Sequence, residues 1–243
     1  MRSWPAPAVA LVALLPYAAG ASAQERAATA ERFVRERLAM VRLIERAGVR
    51  DSATLAAMRS VPRHEFVPAG SSDRAYGDHP LPIEHGQTIS QPYIVAYMTE
   101  LLRPRPGMKV LEVGTGSGYQ AAVLAATGCV VYTVEIFEEL AASARRRLER
   151  MGYAATVRHG DGHDGWAEAA PFDAVIVTAA AGYIPPPLVA QLRPGGRMVI
   201  PVGSVYGVQN LILVEKDAVG EVRTRSLLPV RFVPMLRGIR RRP

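Results

Sequence analysis

A doubly wound α/β domain with a mostly parallel sheet is what this 243-residue chain predicts, and three observations carry the prediction. From Met108 onward, short apolar runs alternate with longer stretches of helical period, the pattern of strands laid parallel by crossover helices. The first apolar run breaks into Gly114, Gly116 and Gly118 and passes straight into a helical stretch, as at the carboxyl end of a ligand-binding strand. Two final extended runs, separated by Asp217 and Gly220, suit an antiparallel hairpin at the sheet edge.

The elements follow in order. Over 25–47, Phe33, Leu38, Val41 and either Ile44 or Leu43 recur at helical steps among arginines and glutamates, and Gly48 ends the run. A second helix is predicted over 52–60, with Asp51 or Ser52 as its cap. Pro62 and Pro68 frame an extended piece at 63–67, and the Gly, Ser, Asp, Pro and His of 69–87 read as a loop. Pro92 stands where a first helical turn tolerates it, so a helix runs over 92–103 with Ser90 or Thr88 as cap. Strands are expected near 108–113, 129–134, 155–159, 172–178 and 196–202, and helices at 119–126, 137–151 and 185–192. The helix at 137–151 opens with Glu138 and Glu139 and closes with Arg145, Arg146, Arg147 and Arg150, which matches the macrodipole at both ends. The hairpin runs are 208–216 and 222–234. The whole is a Rossmann-like doubly wound sheet with a C-terminal antiparallel hairpin and an N-terminal helical extension.

Composition narrows the classes. Hydrophobic residues make up 49% of the chain, ample for a core. The single cysteine, Cys129, excludes an internal disulfide and, lying in an apolar run, reads as a small buried hydrophobe. No cluster of Cys, His and carboxylates has metal-ligand spacing, so no metal is expected. The net charge is +7 and Arg237, Arg240, Arg241 and Arg242 crowd the end. Without interleaved aromatics these read as a solvated tail rather than a nucleic-acid surface. At the other end, Arg2, an apolar run over 6–19 and Ala21-Ser22-Ala23 form the three parts of a secretory signal, with Gln24 as the mature start. That run is too short, and too broken by Pro5, Pro7 and Pro16, to span a membrane. The rival reading is initiation at Met40.

The glycine loop lets a backbone approach a ligand closely, and the helix start behind it offers unpaired N–H groups. A dinucleotide fingerprint wants a small third residue, but that position is Tyr119. The order is instead Glu112-x-Gly114-x-Gly116-x-Gly118. S-adenosylmethionine lacks a pyrophosphate and presents an amino-acid end that needs an open polar loop; the pattern resembles the first motif of Rossmann-like methyltransferases. A strand–helix turn without a ligand would use the same glycines. On the ligand reading, Glu112, Gly114, Thr115, Gly116, Ser117 and Gly118 bind the cofactor. Glu135, 21 positions after Gly114, accepts from both ribose hydroxyls. Asp161 accepts from the adenine amino group and the Gly162 backbone lies near the ring, although a plain turn explains that pair as well. The fourth strand ends in Thr178-Ala179-Ala180-Ala181, which offers no base. Tyr183-Ile184-Pro185-Pro186-Pro187 comes later and lacks the Asn or Asp of base-amine methyltransferases.

The stretches Val61-Pro62-Arg63-His64-Glu65-Phe66-Val67-Pro68, Gly86-Gln87-Thr88-Ile89-Ser90-Gln91-Pro92, the glycine loop and Val230-Arg231-Phe232-Val233-Pro234 resemble the protein-L-isoaspartate O-methyltransferase family. The resemblance covers about 40–243. It implies methyl transfer from S-adenosylmethionine to the α-carboxylate of L-isoaspartyl residues in damaged proteins, the ester then collapsing to a succinimide. It implies Ser90 as the active-site serine, Thr88, Ile89 and Val233 along the acceptor path, and a sheet whose last two strands are reordered. His64 and His85 read as loop or packing residues. The implied division is 1–23 signal-like, 24–105 helical with the acceptor loop, and 106–243 cofactor-binding, the last two forming one globular unit expected to be monomeric. The family is cytoplasmic, whereas the leader points to the periplasm. Rival functions are methylation of RNA or a small molecule, or a non-catalytic binding protein for damaged chains.

Overall fold

The computed structural model describes residues 22–204 and 206–238. Positions 1–21 of the signal-like segment, and Arg240, Arg241 and Arg242 of the basic tail, lie outside the described residues. The helices are α1 (Ala23–Arg46), α2 (Ser52–Ser60), α3 (Pro92–Leu101), α4 (Tyr119–Ala126), α5 (Glu138–Arg150) and α6 (Pro186–Gln191). The strands are β1 (Leu81–Pro82), β2 (Thr88–Ile89), β3 (Lys109–Val113), β4 (Val130–Glu135), β5 (Ala155–His159), β6 (Phe172–Val177), β7 (Leu192–Gly203), β8 (Gln209–Lys216) and β9 (Val222–Val230).

Seven strands form one sheet in the order β5-β4-β3-β6-β7-β8-β9. The first five pair in parallel, and β8 and β9 add antiparallel. The predicted α/β architecture and its terminal hairpin are therefore present, with the last strand at the edge. Both faces of the central strands are covered, so they are apolar almost throughout. Alternate residues divide between two cores. Val110 of β3 and Val199 of β7 join α1 to α5 through Met40, Met58, Met98, Leu124 and Leu148. Leu111 and Met198 face the other way, with Phe172, Val175, Leu188 and Val214. Among the described residues no helix is long and apolar enough to cross a membrane.

The boundaries show where long-range contacts override local pattern. Helix α1 starts at Ala23 because Ser22 and Glu25 form a reciprocal capping box, with Glu25 N–H donating to Ser22 Oγ at 3.2 Å and Ser22 N–H to Glu25 Oε2 at 2.6 Å. Asp51 caps α2, accepting from Thr54 N–H at 2.7 Å. The piece at 63–67 is not extended: Arg63–Phe66 is a single 3₁₀ turn. Arg63 and Phe66 are both fully buried, and a 3₁₀ turn sets residues three apart on one side. Residues 69–87 are not one loop. They contain a 3₁₀ helix, Ala69–Arg74, and the strand β1, which pairs with β2 because Leu81 and Ile89 are buried side by side. Helix α6 stops at Gln191 and β7 begins at Leu192, ahead of the predicted 196, because Leu192 pairs with Phe172. The last run leaves the sheet after Val230 rather than at 234. There the buried Gln209 takes the Phe232 N–H with its side chain at 2.9 Å, which ends the ladder.

Candidate active site

The site lies at the carboxyl ends of β3, β4 and β6, where open α/β sheets take ligands. Gly114 has φ +96°, and a Cβ there would lie 2.5 Å from Thr178 Oγ1. That hydroxyl donates to Gly114 O at 2.6 Å, clamping the loop to the end of β6. Gly118, at φ +92°, is the N-cap of α4 and carries no side chain over the helix start. Arg147 Nη1 donates to Ser117 O at 2.8 Å and holds the loop from α5.

Two carboxyl groups stand behind the loop with opposite surroundings. Glu135 is 4% exposed; its Oε2 accepts from Gly116 N–H at 2.8 Å and its Oε1 from Phe137 N–H at 3.1 Å. Glu112 is fully buried and neither of its oxygens has a hydrogen-bond partner. The nearby Thr133 hydroxyl is paired with Thr115 Oγ1 at 2.6 Å. Burial pushes the Glu112 carboxyl up to about 8 against the opposing pull of the neighbouring Thr133 hydroxyl, and the nearby Glu135 adds to the rise. Ser117 Oγ is a second buried, unpartnered polar atom. Both residues line a cleft of about 760 Å³, partly open to solvent, together with Gly114, Thr115, Gly116, Glu135, Gly162, Thr88, Ile89, Ser90 and Val233.

Two sequence-predicted residues do not line that cleft. Gly118 lies behind it at the helix start. Asp161 is engaged on both oxygens: its Oδ1 accepts from His163 N–H at 2.9 Å and its Oδ2 from Gly238 N–H at 3.0 Å. Burial alone would raise its carboxyl, but those hydrogen bonds and the His163 ring outweigh it and hold it low. The turn it fixes brings Gly162 so close to β3 that a Cβ would meet Val113 Cγ1 at 2.3 Å.

The loop at 86–91 differs from expectation in its cap. Neither Ser90 nor Thr88 caps α3: its N-cap is Gln91, with no side-chain cap of its own. The cap comes from Asp78, whose Oδ1 accepts from Tyr93 N–H at 2.8 Å and whose Oδ2 accepts from Gln91 Nε2 at 2.9 Å. This leaves the Ser90 hydroxyl without a partner among the described residues, at the wall where the cleft meets a second recess, lined also by Thr88, Ile94 and Phe232. His64 stacks on Phe33 at 4.0 Å and pairs with Tyr76 OH at 2.6 Å. His85 stacks on Phe137 at 5.0 Å. Both are packing residues. Cys129 is buried and burial raises its thiol. Sequence reasoning missed Asp78, Gln120, Phe137 and Met235, of which the last three line the cleft. Thr178 lines it too and was read only as a small residue. Helical period marks Gln120 and Phe137 only as parts of helices; nothing local marks Asp78.

A glycine loop and a buried acid at the central carboxyl edge of a mostly parallel sheet fit the methyltransferase class of Rossmann-like domains, here with the last two strands in chain order, β8 then β9. The chain belongs to the protein-L-isoaspartate(D-aspartate) O-methyltransferase family, whose model matches residues 35–239. It is 62% identical over 186 residues to protein-L-isoaspartate O-methyltransferase 2 of Polaromonas sp., covering 76% of this chain and 88% of that relative. With the protein-L-isoaspartate O-methyltransferase of Opitutus terrae it shares 54% over 228 residues, 93% of this chain and 96% of the relative. A solved protein-L-isoaspartate O-methyltransferase superposes with a TM-score of 0.73 at 29% identity, over 82% of this chain and 65% of that one. A Plasmodium falciparum chain solved in complex with S-adenosyl-L-homocysteine shares the fold, with a TM-score of 0.70 at 24% identity over 82% and 97% of the two chains.

Two outcomes are expected from this geometry. In the unfolded chain the Glu112 carboxyl ionises through about 4.5, whereas the folded one keeps its proton to about 8. Between those values the folded state binds more protons, so this residue's contribution to stability is lost as pH rises through the window. Glu112→Gln should therefore gain on the wild type in thermal melts across that range, and parallel curves would refute the buried proton. Asp78→Ala should cost about 0.5–2 kcal/mol in urea unfolding, as for a lost helix cap. It should also speed hydrogen exchange at the Tyr93 amide; an unchanged Tyr93 rate would show that Asp78 does not hold the loop.

Proposed function

We propose that this chain transfers the methyl group of S-adenosylmethionine to the α-carboxylate of L-isoaspartyl residues in damaged proteins and peptides. The observation that carries the reading is the unpartnered Ser90 hydroxyl on the wall shared by the two clefts. The residues fit the cofactor. Its ammonium and sulfonium are cationic, and the buried, unpartnered Glu112 carboxyl is a group such charges would satisfy. Its carboxylate suits the open N-terminus of α4 and Ser117 Oγ. Glu135 has lone pairs left after binding two backbone N–H groups, enough to accept from ribose hydroxyls. The Gly162 backbone supplies a flat wall for the adenine. Asp161 is assigned to holding that wall in place, through His163 and Gly238, rather than to the base itself.

When bound, S-adenosylmethionine supplies a sulfonium-activated methyl group. What the chain must add is orientation. A peptide α-carboxylate, with a pKa of about 3.3–3.7, is already ionised at neutral pH and needs no general base, in keeping with the Thr178–Ala181 stretch that offers none. Ser90 Oγ–H donates to one carboxylate oxygen and turns the other towards the methyl carbon. Thr88, Ile89 and Val233 border the path of the acceptor chain. Positioning of this kind accounts for large rate factors without proton transfer. For the compartment, export rests on residues 1–23 alone; a mature N-terminus at Gln24 in a periplasmic fraction would establish it.

Labelled S-adenosylmethionine should give base-labile label on an L-isoaspartyl peptide and none on its aspartyl twin. Label on neither, with cofactor bound, would overturn the acceptor assignment. Ser90→Ala should lower kcat by about tenfold or more, the value of a hydrogen bond to a charged group, with the cofactor Kd retained. Glu135→Gln should act on the other parameter, weakening equilibrium cofactor binding by about tenfold or more; an unchanged Kd would remove Glu135 from the ribose.

A further inference from the structure

Beyond Thr88 and Ser90 the acceptor side opens into a recess between the start of α3 and the end of β9, enclosing about 780 Å³ and partly open to solvent. Its walls are mostly apolar or neutral: Pro80, Ile94, Val208, Val230 and Phe232 contribute. Arg231 is the one charged residue among those lining it. The side chain is exposed, and it makes no hydrogen bond, ion pair or ring contact with any described residue.

Its backbone, by contrast, is fixed on both sides. Val230 pairs with Gln209 in the β8–β9 ladder. Phe232 N–H donates to Gln209 Oε1 at 2.9 Å. Gln209 is itself fully buried and donates from Nε2 to the Ser204 and Gly207 carbonyls at 2.6 and 3.0 Å. One residue beyond Phe232, Val233 O accepts from Ala180 N–H at 2.8 Å. A guanidinium with no partner among the described residues is thus carried on a fixed backbone at the rim of an otherwise uncharged recess. Its planar fork of donors suits a carboxylate, and a chain filling the recess would displace water and strengthen the attraction.

We propose that Arg231 is a specificity residue that favours isoaspartyl substrates carrying an acidic side chain beside the damaged residue. The proposal rests on the reading of Ser90 as the acceptor site. An extended chain advances about 3.3 Å per residue. A substrate that presents its damaged carboxylate to Ser90 therefore lays its neighbours along the recess towards Arg231. Ser90 deals with the carboxylate that reacts; Arg231 deals with one that does not.

The test is a set of isoaspartyl peptides that differ only in Glu or Gln, placed in turn before and after the damaged residue, with the full chain as enzyme. For one of the two placements the wild type should favour Glu over Gln in kcat/KM by about three- to tenfold, in the range of an exposed to partly desolvated charge pair. The preference should shrink as salt is added. Arg231→Ala should bring the ratio to about one, and Arg231→Glu should invert it. A wild-type ratio near one at both placements overturns the proposal and leaves methyl transfer standing. So does a variant that loses rate on both peptides alike with the ratio intact. No transfer to any isoaspartyl peptide by the wild type overturns the reading of Ser90, and this proposal with it.

Discussion

The Glu135 carboxylate is the tie on which the site depends. It ends β4, accepts from Gly116 N–H and Phe137 N–H, and so fixes the glycine loop after β3 against the turn into α5. A loop with three left-handed glycines, at φ +96°, +52° and +92°, would otherwise have wide conformational freedom. The tie also sets Glu135 beside Glu112, whose carboxyl burial pushes up to about 8, and the neighbouring acid adds to that effect. Of the two carboxyl groups of the cleft, Glu135 shapes the loop through two backbone N–H groups, and Glu112 has neither oxygen paired among the described residues.

What the sequence discloses and what it hides divide along range. The strands, the glycine loop and the acid at the end of β4 are local: apolar runs, glycine spacing and a fixed offset reveal them. The hidden features are those whose cause is a distant partner. Arg63–Phe66 folds into a 3₁₀ turn because Arg63 Nε donates to Ala75 O at 2.8 Å and its guanidinium lies 5.0 Å from the Tyr119 ring. Leu81 reads as a loop residue until Ile89 pairs with it. Asp161 follows a strand, and its link to the C-terminal segment through Gly238 N–H is one that no local pattern shows.

Ser90 shows why one such distant contact matters for chemistry. A serine before a proline-started helix is a natural cap, and a capping hydroxyl is already committed to the backbone. Asp78, fifteen residues before Tyr93, takes that duty instead. Its carboxylate is the stronger acceptor for the exposed N–H, and the exchange leaves the smaller hydroxyl unbound at the cleft wall. The start of α3 is capped without engaging the Ser90 hydroxyl.

The strand order carries the same logic to the far side of the cleft. Because β8 follows β7 directly and β9 is last, the chain ends its sheet at the outer edge and must return across the carboxyl ends of the strands. It does so as a short strap: Pro234 bridges Ala180, Met235 N–H donates to Ala180 O at 2.8 Å, and Gly238 reaches Asp161. Val233, Pro234 and Met235 thus face the Ser90 loop across the cleft. Had β9 been inserted between β7 and β8, the chain would have left the sheet beside β7, and the outer edge would have been closed by a different strand. The antiparallel hairpin is therefore what builds the wall of the cleft opposite Ser90, and it leaves Arg231 at the point where the chain turns from sheet to strap.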